Sequence, residues 1–187
     1  RSDDRVTGSP AHFGANAKVV HLEIDPAEID KIIHADVPVV GDVKRSLPLI
    51  TERIRKRDHS EWIAGFRTCD KIEYEAVIRK AVHPAEGRIR MGETVDAVSR
   101  AYGNDAVLVT DVGQQQMNAA RYFGFRRSRS IVTSGGLGTM GFGLPAAIGA
   151  KLGAPDREVV LFVGDGGLQM TIQELGTIFQ SHVPVKI

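Results

Sequence analysis

The chain of 187 residues carries 24 lysines and arginines against 23 aspartates and glutamates, a formal net charge of +1, and 42% of it is hydrophobic. That balance suits one large or two small α/β domains with a real core, and without a basic stripe interleaved with aromatics it excludes bulk electrostatic binding to nucleic acid. The single cysteine, Cys69, excludes an intrachain disulfide or a cysteine-based metal cage, and no apolar run approaches membrane-spanning length.

Arg1-Ser2-Asp3-Asp4 offers neither an initiator Met nor an apolar signal region, which fits a cytoplasmic protein and also a chain that has lost its beginning. Residues 17–25 read as a buried strand ending in acidic residues, and Pro26 opens a short amphipathic helix over Ala27–Ile33. A second strand follows over 37–42, with Asp42 at its carboxyl end. Val43–Arg57 reads as a helix interrupted by Pro48 and closed by the solvated cluster Arg53, Arg55, Lys56 and Arg57. This βαβα unit, 1–57, has too few strands to be a domain by itself and reads as part of a doubly wound parallel sheet.

Residues 58–90 read as a connector, given some buried surface by Trp62, Phe66 and the helical pattern Tyr74, Ala76, Val77, Ile78, Ala81, and broken by turn chemistry at 83–87. From Met91 the βα rhythm returns over 91–187. Helices are expected at Glu93–Tyr102, Gln114–Phe123, Leu144–Leu152 and Leu168–Gln180. Strands are expected at Ala106–Thr110, Ser130–Thr133, Glu158–Val163 and from Pro184 onward. Because the last strand has barely begun at Ile187, the chain reads as a fragment.

Three glycine-marked turns follow three of these strands: Asp111-Val112-Gly113, 134–143 and 164–167. In a parallel sheet all three fall on the carboxyl edge, where α/β proteins bind phosphates. An aspartate there repels a phosphate unless a divalent cation lies between them, so Gly164-Asp165-Gly166-Gly167 reads as a metal-bridged diphosphate site. Asp165 alone is an incomplete Mg²⁺ site, and a second ligand is expected further along. The plainer alternative for Asp165 is a helix N-cap, but glycine on both sides favours close approach of a phosphate. Gly136-Leu137-Gly138-Thr139-Met140-Gly141 also satisfies the dinucleotide pattern G-x-G-x-x-G. The second glycine turn after Asp165 argues against a nicotinamide site. The six histidines show no zinc spacing, and neither a Gly-x-Ser-x-Gly nor a Cys–His nucleophile arrangement occurs.

Gly164-Asp165-Gly166-Gly167-Leu168-Gln169-Met170, with Ile172-Gln173-Glu174-Leu175 behind it, resembles the first half of the thiamine-diphosphate motif, which begins Gly-Asp-Gly and ends in paired asparagines. The block from Thr133 to Ala147 resembles the catalytic (large) subunits of acetolactate synthase, also called acetohydroxyacid synthase. So do Asp111-Val112-Gly113-Gln114 with Gln116-Met117, and Pro184-Val185-Lys186-Ile187. Asp3-Asp4-Arg5-Val6-Thr7-Gly8, His21-Leu22-Glu23-Ile24-Asp25 and Gly41-Asp42-Val43 are similar to the end of that family's FAD-binding central domain. The resemblance therefore implies the C-terminal part of a central FAD-binding domain over 1–57 and the first part of a thiamine-diphosphate-binding domain over 91–187.

It further implies thiamine diphosphate, Mg²⁺ and FAD as cofactors. Asp165 matches the metal ligand, with Gly166 and Gly167 beside the diphosphate. Val112, Gly113, Gln114 and Gln115 match the diphosphate-side loop, and Gly138 and Met140 match the aminopyrimidine positions. Arg5, Glu23, Ile24, Asp42 and Val43 match FAD-contacting positions, with Gln116, Met117, Gly135 and Gly136 touching FAD from the second domain. The implied reaction is decarboxylation of pyruvate and carboligation to a second 2-oxo acid, in branched-chain amino-acid biosynthesis. The implied partners are 2-oxo acids, further copies of the chain in a homo-oligomer, and a regulatory small subunit. Members commonly have His at the position of Gln115 and an aromatic at that of Asn118. No catalytic residue is expected within the chain, because the family's catalytic glutamate belongs to an amino-terminal domain outside it and half of each active site comes from a neighbouring subunit. By itself the fragment is expected to be inactive. A pyruvate oxidase or glyoxylate carboligase type of enzyme, and a non-catalytic nucleotide-binding or regulatory module, are the alternative readings.

Overall fold

The computed structural model describes residues 4–187, the side chains of Asp4 and Arg5 excepted. Two compact units divide the chain, Arg1–His59 and Ser60–Ile187.

The first unit contains α1 (Asp4–Thr7), β1 (Val20–Glu23), a single 3-10 turn at Pro26–Glu28, β2 (Val37–Val40) and α2 (Val43–Thr51). Strands β1 and β2 are parallel, with Val20 opposite Val37 and Glu23 opposite Val40. Asp25 starts the turn by accepting the Ala27 N–H at 2.9 Å, but the helix expected to reach Ile33 does not develop. Asp30 adopts a left-handed φ of 59°, and its carboxylate accepts the Ala35 N–H at 2.7 Å. A side chain that satisfies the backbone locally competes with helix propagation in this way. Asp42 caps α2 by accepting the Lys44 N–H at 2.8 Å. That helix passes through Pro48 and stops at Thr51 rather than Arg57. Beyond Thr51 the closely spaced cations flank only Ile54, which is exposed, so no buried face sustains another turn.

The second unit opens with α3 (Ser60–Glu73), which runs through a π-helical turn at Tyr74–Ile78 into α4 (Arg79–Val82). Trp62 and Phe66 meet edge to face at 4.5 Å. They do not supply the expected buried surface: Trp62 is 68% and Phe66 54% exposed. Next come α5 (Met91–Ala101), β3 (Val107–Thr110), α6 (Gln114–Tyr122), β4 (Ile131–Val132), a 3-10 turn at Gly135–Leu137 and α7 (Gly143–Gly153). The chain then forms β5 (Val159–Phe162), α8 (Asp165–Met170) and α9 (Glu174–Ser181).

The sheet order is β4-β3-β5, all parallel, and Lys186 extends it by a parallel bridge to Val160. All four residues of β3 are buried, as required of a parallel strand covered on both faces. One face packs Leu108 and Val160 against Val95 of α5 and Ala119 of α6. The other packs Val107, Val109, Val159 and Leu161 against Leu144 and Ala147 of α7. The unit is therefore a doubly wound α/β layer.

The helix expected over Leu168–Gln180 is two helices. Its first piece begins earlier, at Asp165, and the break comes after Met170, where the Thr171 hydroxyl donates to the Gly141 carbonyl at 3.2 Å.

Candidate cofactor site

The carboxyl ends of β3 and β5 deliver Asp111 and Asp165 to one rim, and the loop after β4 reaches the same rim through Gly141 and Gly143. Asp111 is fully buried. Its Oδ1 accepts the N–H groups of Val112 at 2.8 Å and Gly141 at 3.2 Å, and its Oδ2 accepts the Gly143 N–H at 2.7 Å. The third turn presses on the same carboxylate, because a Cβ on Gly167 would lie 2.4 Å from Oδ1. Gly167 must therefore lack a side chain, for a reason that capping alone does not supply.

Asp165 is the opposite case. It is exposed, Gly164 rather than Asp165 occupies the N-cap position of α8, and the Asp165 carboxylate has no hydrogen-bond or ion-pair partner among the described residues. It is thus free to bind a cation. Among the described residues no three His, Cys, Asp or Glu side chains cluster to hold a metal, and Asp165 stands alone on the rim surface.

Around this pair the structure assembles part of the candidate set. Gln115 Nε2 donates to the Val112 carbonyl at 3.0 Å, which folds the amide back over Gly113 and within 3.7 Å of where a Gly164 Cβ would stand. Gly113 itself has φ 146°, a conformation reserved for glycine. The Met140 methyl lies over Gly166, 3.2 Å from the Cβ that glycine lacks. Gly141, at φ 84°, packs against Met170 and Thr171. Gln114 is exposed at the start of α6, and Gly138 closes the 3-10 turn at φ 59° with open space around it.

Gln116 donates to the Thr133 hydroxyl at 2.9 Å, joining α6 to the end of β4. Met117 is 66% exposed. Gly135 and Gly136 have no neighbour within 4 Å of a notional Cβ.

In the first unit, Glu23, Ile24, Asp42 and Val43 line one cleft of about 340 Å³ at the carboxyl ends of β1 and β2. Glu23 Oε1 accepts the N–H groups of Ile24 at 2.8 Å and Asp25 at 3.3 Å, and these bonds hold its carboxyl below the ordinary range. The side chain of Arg5 lies outside the described residues. A cleft of about 510 Å³ in the second unit is lined mostly by apolar side chains, among them Val98 of α5 and Val160 and Phe162 of β5, and by neither rim aspartate.

In the sequence Asp111 is one turn residue among several, and its place at the hub of the rim emerges only in the structure. The signal that could have found it is the pairing of an aspartate at one strand end with glycines at the two neighbouring strand ends.

These elements define a class. Residues 111–187 match the family model described as "Thiamine pyrophosphate enzyme, C-terminal TPP binding domain", and residues 1–50 match "Thiamine pyrophosphate enzyme, central domain". The chain belongs to the thiamine pyrophosphate enzymes. Over its whole length it is similar to acetolactate synthase large subunits. It is 43% identical to that of Lactococcus lactis, 46% to that of Parasynechococcus marenigrum and 39% to the isozyme 3 large subunit of Escherichia coli. Each alignment takes in 100% of this chain and 30–33% of the relative, so the chain spans about a third of the length of the curated relatives it matches. Among the described residues no helix is long and apolar enough to cross a membrane.

Proposed function

We propose that this chain is part of the catalytic subunit of an acetolactate synthase, a transferase that decarboxylates pyruvate and joins the two-carbon unit to pyruvate or 2-oxobutanoate. The observation that carries the reading is the exposed, unpartnered Asp165 between glycines at a strand end, in a chain similar throughout to acetolactate synthase large subunits.

Thiamine diphosphate, when bound, supplies the electron sink for decarboxylating a 2-oxo acid. In this reading Asp165 holds Mg²⁺, which neutralises the diphosphate charge beside Gly166 and Gly167. Val112, Gly113, Gln114 and Gln115 flank the diphosphate. Gly138 and Met140 orient the aminopyrimidine, with the Met140 methyl already resting on Gly166. FAD takes a structural role, since the reaction has no net redox step. Glu23, Ile24, Asp42 and Val43 are its proposed contacts in the first unit, and Gln116, Met117, Gly135 and Gly136 those in the second.

The proposed setting is a cytoplasmic homo-oligomer with a regulatory small subunit, in branched-chain amino-acid biosynthesis. The test uses the natural full-length protein supplied with pyruvate, thiamine diphosphate, Mg²⁺ and FAD. Acetolactate is the expected product. Oxidative consumption of pyruvate would instead mark a pyruvate oxidase type, and no binding of thiamine diphosphate would leave a degenerate nucleotide-binding module. Thermal stabilisation by NAD in place of thiamine diphosphate with Mg²⁺ would revive the dinucleotide reading of 136–141.

A further inference from the structure

Asp111 is the one fully buried carboxylate among the described residues, and the proposed ligand set makes no use of it. A buried carboxylate is strongly unfavourable unless hydrogen bonds satisfy it. Here both oxygens are occupied, by the N–H groups of Val112, Gly141 and Gly143. Two of these donors lie 30 and 32 residues away on the next loop, and none of the three belongs to a strand. The first turn of α8 is shaped by the same side chain, since Gly167 has room for hydrogen alone against Oδ1, and a Cβ on Gly143 would stand 3.0 Å from Oδ2. The β3–β5 pairing from Val107–Val159 to Thr110–Phe162 proceeds without any of these contacts.

We propose that Asp111 is a positioning residue for the diphosphate cofactor. It sets the separations among the turn at 111–113, the entry to α7 at 141–143 and the start of α8 at 164–167, and through them the placement of Gly113, Met140 and Asp165. It does not touch the ligand. The proposal rests on the thiamine-diphosphate reading of the rim. The charge and geometry of the carboxylate carry it, because both oxygens must accept. An amide of the same shape brings an NH₂ group that faces either the Gly143 N–H or the pair from Val112 and Gly141. One arm of the clamp then opens although the volume is unchanged.

The test compares Asp111→Asn with Val159→Ala, a core truncation in β5 away from the rim, in the natural full-length protein. Thiamine diphosphate binding with Mg²⁺ is measured by titration calorimetry, and stability by urea unfolding. Asp111→Asn is expected to weaken thiamine diphosphate binding at least tenfold. Its apparent KM for the cofactor should rise by more than kcat at saturating cofactor falls. Val159→Ala should lower the urea midpoint and leave the dissociation constant within twofold. A dissociation constant unchanged in Asp111→Asn, with only the midpoint lowered, overturns the proposal.

Should Asp111→Asn fail to fold, Gly143→Ala decides. It pushes on the carboxylate from a position outside the ligand set, and an unchanged dissociation constant there is equally fatal. Wild-type protein that binds no thiamine diphosphate defeats the functional reading and this proposal together. Wild type that binds, with variants binding equally well, defeats this proposal alone.

Discussion

Asp165 and Asp111 occupy comparable places, each in a glycine-containing turn beyond the end of a parallel strand, and their environments assign them opposite tasks. Asp165 is exposed and unpartnered, so removing its carboxylate breaks no contact of the fold. Asp165→Ala is therefore expected to abolish Mg²⁺-dependent cofactor binding while shifting unfolding by less than about 0.5 kcal/mol, as read by calorimetry and urea titration on the same protein. Asp105 shows how a charge at the surface is tuned instead. The Arg127 side chain hydrogen-bonds it and holds its carboxyl below the ordinary 3.8. A depressed folded-state value means that the pair contributes stability above the unfolded-state value and loses it as pH falls through the lowered one. In Arg127→Gln the Asp105 titration followed by NMR should move up toward 3.8. The stability difference from wild type should vanish at a pH below both values. A difference that persists in acid would show that Arg127 acts through something other than this pair.

At the scale of elements, the amino ends of the strands are tied together by side-chain hydrogen bonds, as the carboxyl ends are around Asp111. Arg157, just before β5, donates from Nη2 to the Asp105 carbonyl and the Ser130 hydroxyl, both at 2.7 Å. Ser130 Oγ in turn donates to the Arg127 carbonyl at 2.8 Å. One side chain thus joins the entries to β3, β4 and β5. Arg157→Met keeps the aliphatic stem and deletes the donors, and it should destabilise the protein by roughly 2–3 kcal/mol in urea unfolding, with cofactor affinity retained because the rim lies at the other end. On the rim side, the break between α8 and α9 lets Thr171 bond the Gly141 carbonyl.

For the whole molecule, burial is concentrated in the second unit. Among the described residues of the first unit only Thr7 and Ala35 are buried, whereas β3 and β5 sit inside two apolar clusters of the second. Opening free energies follow buried contact. Hydrogen exchange of this chain should therefore be slowest at Val107–Val109 and Val159–Leu161, and faster throughout β1 and β2. Equal protection in the two pairs of strands would contradict that distribution.

Much of this was legible from local pattern. The strands at Val107–Thr110 and Val159–Phe162 follow from apolar runs that end in glycine turns, and the doubly wound class follows from the βα rhythm. The family follows from short motifs whose glycines and aspartates are fixed by backbone conformation and charge, which are properties of neighbouring residues. The elements that depart from the local pattern do so through particular side-chain bonds or the lack of a buried face. The helix after Pro26 was stopped by Asp30 bonding Ala35, Trp62 and Phe66 found no buried face, and the helix after Gly167 was split where Thr171 met Gly141. The sequence by itself determined that two aspartates stand in glycine turns on one sheet edge. Only the tertiary structure decided which is buried under three N–H groups and which is left open to a cation, because hydrogen bonds from residues 30 and 32 positions away make that difference.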